Sequence, residues 1–268
     1  MSLMYVNALA LNFRNKPIAT PATLEGTVYL GQRIDDVEAA DQDGWLKCVA
    51  SIDGNKKERF VAAKHVRQPL LPNRELLVAS VHREWMRFSR GLGKENIDPY
   101  YKYVGEMWAA IGSSLDGKDV DQPWSAAAIS YMVREARTES KNPYKGFKFS
   151  AGHSHFIFAA IQARSAGDKN HPFWGYRLDE ARPEVGDIIC RDNPSFSPSV
   201  DYTVASKLDS FRCHTDIIMK IDSDSNEIFA IGGNVSHSVS IAKYALTVGG
   251  YASDSQHTFA ILKNITDK

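Results

Sequence analysis

The feature that most limits the fold is a change of hydrophobic period near residue 165. Before it, apolar residues recur at helical spacing. Leu77, Val78, Val81, Trp85 and Phe88 predict a helix over 74–90, and Tyr103, Val104, Met107 and Trp108 a second over 99–111. A third begins at Ser125, where Ala126, Ala127, Ala128, Ile129, Met132 and Val133 form a small-residue stripe that implies deep burial. A fourth, over 152–164, carries Phe156, Ile157, Ala160 and Ile161. Beyond the change, strand-length apolar runs follow at 185–190, 215–221, 228–232, 239–244 and 259–263. Helices first and strands afterwards predict an α+β domain with helices packed on an antiparallel sheet.

The opening of the chain has a different pattern. Short strands are expected over 5–11, 27–30, 44–51 and 59–62, with turn signals at Asn15-Lys16-Pro17 and Asp53-Gly54-Asn55. That is the size of a small β-barrel, closed to hide its edges. Gln68-Pro69-Leu70-Leu71-Pro72-Asn73 marks a boundary: proline breaks the preceding strand and Asn73 is placed to cap the helix that follows. Two domains are expected, 1–70 and 71–268.

Composition mainly excludes. With 32 basic against 32 acidic residues, the balance argues against a general nucleic-acid binder. No apolar run reaches the length of a membrane span, and no charged-then-apolar leader opens the chain, so the expectation is a protein without a signal peptide, cytoplasmic as made. Cys48, Cys190 and Cys213 are spaced neither as a disulfide framework nor as a zinc site and read as buried thiols. No cofactor is expected. His153 and His155, two apart on a helix, diverge too far to share an ion, so no metal is expected either.

Three islands could carry chemistry: Gln122-Pro123-Trp124-Ser125-Ala126-Ala127, Cys213-His214-Thr215-Asp216-Ile217-Ile218 and Ile231-Gly232-Gly233-Asn234-Val235. A nucleophile at the first residue of a buried helix gains from the helix dipole and from unpaired N–H groups, which can also stabilise an oxyanion. A histidine on a strand packed against that helix can take the proton, and a polar residue on the next strand can hold its tautomer. Each residue has a plainer reading. Ser125 suits a helix cap, His214 a core histidine, and Asn234 a left-handed turn after two glycines. His214 and Asp216 share a strand face, which makes Asp216 a rival orienter or a groove residue. Cys213 is expected on the opposite face, and Cys190 in the core.

Two resemblances follow from these residues. Ala8-Leu9-Ala10-Leu11-Asn12-Phe13-Arg14, Gly44-Trp45-Leu46-Lys47 and Arg59-Phe60-Val61 with Lys64-His65-Val66 resemble the strands of bacterial SH3 domains, over about the first quarter of the chain. Pro123-Trp124-Ser125-Ala126-Ala127-Ala128, Pro183-Glu184-Val185-Gly186-Asp187-Ile188, His214-Thr215-Asp216-Ile217-Ile218 and Gly232-Gly233-Asn234-Val235-Ser236 resemble papain-like cell-wall hydrolases of the NlpC/p60 and CHAP type. More closely they resemble the bacterial domain-of-unknown-function 2272 family, as do Phe149-Ser150-Ala151-Gly152-His153-Ser154-His155 and Phe173-Trp174-Gly175-Tyr176.

The resemblance implies an SH3-like barrel followed by a papain-like domain. It also implies a hydrolase of peptidoglycan peptide, with Ser125 as nucleophile, His214 as base and Asn234 as orienter. Asp216, Trp124, His153, His155, Trp174 and Tyr176 would then line the substrate groove. Without a leader, such an enzyme would leave the cell by a non-classical or contact-dependent route or through phage lysis, or would act on an intracellular substrate. The departure is Ser125 itself, where the papain-like pattern has cysteine, and a hydroxyl depends more than a thiolate on a well-placed base. Three readings stand open: a working serine, a site that only binds, or an introduced Cys→Ser change. An esterase on a small acyl substrate is a further alternative.

Overall fold

The computed structural model describes residues 2–52, 54–195 and 199–268, so Asp53 of the expected 53–55 turn lies outside the described residues. The protein is mixed α and β, with two antiparallel sheets and five α-helices among the described residues. The chain divides into two compact units, 1–72 and 73–268.

The first unit is one sheet of seven strands: β1 (Ser2–Val6), β2 (Ala10–Arg14), β3 (Leu24–Tyr29), β4 (Arg33–Ala39), β5 (Trp45–Ile52), β6 (Asn55–Ala62) and β7 (Val66–Arg67). Their order is β3-β2-β6-β5-β4-β1-β7. Alternating residues of six strands, among them Val6, Phe13, Val28, Ile34, Cys48 and Val61, form its apolar core. The expected strand over 5–11 is two strands, β1 and β2. β4 was not expected, for a physical reason. Its apolar residues, Ile34 and Val37, lie three apart instead of two. A bulge between Asp35 and Glu38, with Asp36 at φ 52°, restores both to the inner face.

The second unit begins with α1 (Pro72–Arg87), followed by α2 (Tyr100–Ala109), α3 (Ser125–Arg134) and α4 (His153–Ala166). Its sheet comprises β8 (Phe173–Tyr176), β9 (Ile188–Asp192), β10 (Cys213–Asp222), β11 (Glu227–Gly232), β12 (Ser240–Ala245) and β13 (Thr258–Asn264), in the order β12-β11-β10-β9-β13-β8. A short α5 (Tyr202–Ala205) precedes β10. α3 packs on β10 and β11, and α4 on β8, β10 and β13. The helix-then-strand order thus becomes two layers, with β10 inside the sheet and under both helices.

The start of α1 is capped from the far end of the chain. The Asn73 and Arg74 N–H groups donate to the Asp267 carboxylate at 3.0 Å each, while the Asn73 side chain, expected as the cap, donates to the Thr266 carbonyl instead. The Arg74 guanidinium donates at 2.8 Å to Asp187, which is fully buried. Lys263 reaches the other Asp187 oxygen at 2.6 Å, and the N–H groups of Glu184 and Asn264 donate to the same carboxylate. Asp187 therefore ties α1 to β13 and to the turn entering β9. Burial pushes its carboxyl above the ordinary value, against the pull of Arg74 and Lys263. Arg74→Met removes one of two cations from this buried charge and is expected to cost about 3 kcal/mol of stability, read from the urea midpoint.

Candidate active site

Three elements converge beside Ser125. α3 begins there with no side-chain cap, which leaves its first N–H groups facing outward. Ser125 is held from below by Trp124, whose indole N–H donates to the buried carboxylate of Glu95 and whose ring stacks on Phe88 at 5.7 Å. Gly233 permits the close approach of α3 to the sheet, because a Cβ there would lie 2.2 Å from the Ala128 methyl.

The partner of Ser125 is His153, the first residue of α4. Ser125 Oγ and His153 Nε2 are 2.7 Å apart, and His153 Nδ1 is 2.8 Å from Thr215 Oγ1 on β10. Burial drives the His153 imidazole well below its ordinary value, helped by the neighbouring His214, so the ring is neutral. A neutral ring has one N–H. Thr215 can accept from Nδ1–H, and in that tautomer Nε2 accepts from the Ser125 hydroxyl. His153, expected in the groove wall, does line the cleft, and it is His153 rather than His214, the expected base, that hydrogen-bonds Ser125.

His214 belongs to a second chain of hydrogen bonds. Its Nε2 lies 3.0 Å from Asp216 Oδ1, and the Tyr244 hydroxyl donates to the other Asp216 oxygen. Asp216 is fully buried. Burial pushes its carboxyl up, but His214, Tyr244 and Arg191 together outweigh that and leave it below the ordinary carboxylate value. Gly232 makes room for it, since a Cβ there would stand 1.8 Å from Asp216 Oδ1. Strand alternation separates the two chains of bonds: Thr215 faces α4, whereas His214 and Asp216 take the other side of β10. At the strand end the two imidazoles nevertheless approach, with ring centroids 5.1 Å apart.

Ser125, His153 and His214 open on a cleft of about 610 Å3 whose wall also includes Asp121, Arg191, Asn193, Arg212, Cys213 and Asn234. Asn234, at φ 56°, makes no side-chain hydrogen bond among the described residues, so it meets the cleft and orients neither histidine. Cys213, expected to face away, lines the cleft, yet burial drives its thiol far above the ordinary value. Cys190 is in the core.

The other residues expected in the groove lie elsewhere. Asp216 and Trp124 are buried behind it. Trp174 donates from its indole to the Asp168 carbonyl on the edge strand β8, and Tyr176 lies under the Arg164 guanidinium. His155 is not among the residues lining the cleft. Among the described residues no group of three or more His, Cys, Asp or Glu is arranged to hold a metal.

Residues 84–262 match the family described as "Uncharacterized protein conserved in bacteria (DUF2272)". The chain belongs to that family. The match contains every residue of both hydrogen-bond chains, Ser125–His153–Thr215 and His214–Asp216–Tyr244. No curated protein matches the chain. Thr215 and Tyr244 had no role assigned from sequence. Alternation along β10 could have exposed Thr215 as the residue facing the helices, but Tyr244 sits two strands away and carried no signal.

The His153 shift sets a pH dependence of stability. The folded protein takes up a proton at His153 less readily than the unfolded chain, so stability is full above the ordinary histidine value of 6.5 and is lost as the pH falls below it. Buried His171 shifts in the same direction, so the informative comparison is between variants. His153→Gln is expected to flatten the decline in urea-unfolding free energy between about pH 7 and pH 5 relative to the unaltered protein.

Proposed function

We propose that this chain is a serine-centred acyl hydrolase of papain-like arrangement that acts on cell-wall peptide. The observation that carries this reading is the 2.7 Å contact between Ser125 Oγ and Nε2 of a neutral His153. His153, in place of His214, takes the Ser125 proton as Oγ attacks the substrate carbonyl. The resulting oxyanion meets the uncapped N–H groups at the start of α3, with the free Asn234 amide on the same cleft. The acyl-enzyme is then released by water. A site that only binds would have no need of a buried, neutral imidazole hydrogen-bonded to its serine, so this geometry favours catalysis.

The first unit is read as an SH3-like barrel that holds cell-wall peptide, on the strength of its strand motifs. Peptidoglycan peptide as substrate rests on the resemblance of both units. A second reading, esterase activity on an acyl ester, is favoured by one detail. His153 is backed by the neutral Thr215 hydroxyl, a weaker support for an imidazolium than a carboxylate.

An alkyl fluorophosphonate tests the shared core of both readings. It is expected to modify Ser125 alone, with no labelling of Ser125→Ala. Labelling of His153→Ala should be slower by about 100-fold or more. Because His153 stays neutral well below 6.5, the rate should hold down to pH values where an ordinary histidine base would already be protonated. Intact Ser125 after prolonged exposure of the folded protein would refute the reading. Release of soluble peptides from purified peptidoglycan, lost in Ser125→Ala, decides between peptide and ester substrates.

A further inference from the structure

The Ser125–His153–Thr215 chain accounts for a nucleophile and its base, but it leaves His214 without a task. His214 is built with as much care as His153. Its carboxylate partner Asp216 is fully buried, receives the Tyr244 hydroxyl as well, and fits only because Gly232 has no side chain. A buried carboxylate held by two donors fixes the ring and supports a positive charge on it. His153 has only a hydroxyl behind it. His214 Nε2 is committed to Asp216, while Nδ1 has no hydrogen-bond partner among the described residues, and the ring lines the cleft. His153, by contrast, has both nitrogens occupied, one of them by Ser125 itself.

We propose that His214, held by Asp216, is a second catalytic residue that protonates the leaving group while His153 receives the proton of Ser125. This rests on Ser125 being the nucleophile. In acylation the Ser125 Oγ–carbon bond forms, its proton moves to His153 Nε2, the bond to the leaving group breaks, and the departing atom takes the Nδ1 proton of His214. In deacylation water adds to the acyl carbon and gives its proton to His214 Nδ1. The released Ser125 oxygen recovers its proton from His153. The net change is one hydrolysis, with both imidazoles restored. Asp216 acts only through His214 and is a positioning residue.

Two phosphonates separate the roles, because the acid matters only where the departing group is a poor one. Fluoride leaves an alkyl fluorophosphonate readily, whereas a diphenyl alkylphosphonate must expel phenoxide. His214→Gln is expected to react with the fluorophosphonate at nearly the unaltered rate, and with the diphenyl ester about 100-fold more slowly. Across ring-substituted diphenyl esters the rate should depend more steeply on leaving-group basicity in His214→Gln than in the unaltered protein. Asp216→Asn should shift it the same way, less strongly. His153→Ala should lose both reactions equally. The fluoride probe also reports that His214→Gln is folded at the site. Equal loss of both probes in His214→Gln, or parallel slopes, overturns the role of His214 and leaves that of Ser125 intact. No reaction of the unaltered protein with either probe overturns both.

Discussion

The bond between His153 Nδ1 and Thr215 Oγ1 is the tie on which the site depends. It joins the first residue of α4 to the strand beneath it and holds the buried ring against Ser125. Without it, the face that His153 presents to Ser125 would be undefined. With it, a 2.7 Å approach of the serine follows from the packing of α3 and α4 on β10. A hydrogen bond to a hydroxyl is a modest interaction, of about 1 kcal/mol in net stability. Its larger effect is orientation, because a buried imidazole has few other partners.

Three buried carboxylates hold the rest of the frame. Asp187 fastens α1 to the sheet, Glu95 receives the Trp124 indole just before Ser125, and Asp216 steadies His214. Each is surrounded by donors, as a buried charge must be. Their electrostatics differ. At Asp187 burial prevails over its two cations, while at Asp216 the partners prevail over burial. An ionised carboxylate beside His214 is what a proton donor at the cleft requires. Glu95 also receives the exposed His237 Nδ1 at 2.9 Å, which ties the Asn234 loop to the segment that supports Trp124.

Much of this architecture was legible in the chain. The four long helices and the strands β9 to β13 followed from apolar spacing, since each buries one regular face. Ser125 at a helix start, and His214 with Asp216 on one strand face, were likewise readable from local pattern. Three things were not. β4 hides behind a bulge that breaks the two-residue period at Ile34 and Val37. The cap of α1 comes from Asp267, at the other end of the unit, where no local rule could find it. The pairing of Ser125 with His153 depends on how two helices meet over one strand. A motif placed His214 nearest in pattern, whereas packing placed His153 nearest in space.

Histidine ring nitrogen spectra of the 15N-labelled protein test the central claim most directly. The expected result for His153 is a protonated Nδ1 and a bare Nε2 that persist as the pH is lowered past 6.5, with the Nε2 resonance shifting in Ser125→Ala. A His153 ring that carries its proton on Nε2, or that titrates at the ordinary histidine value, would contradict the account.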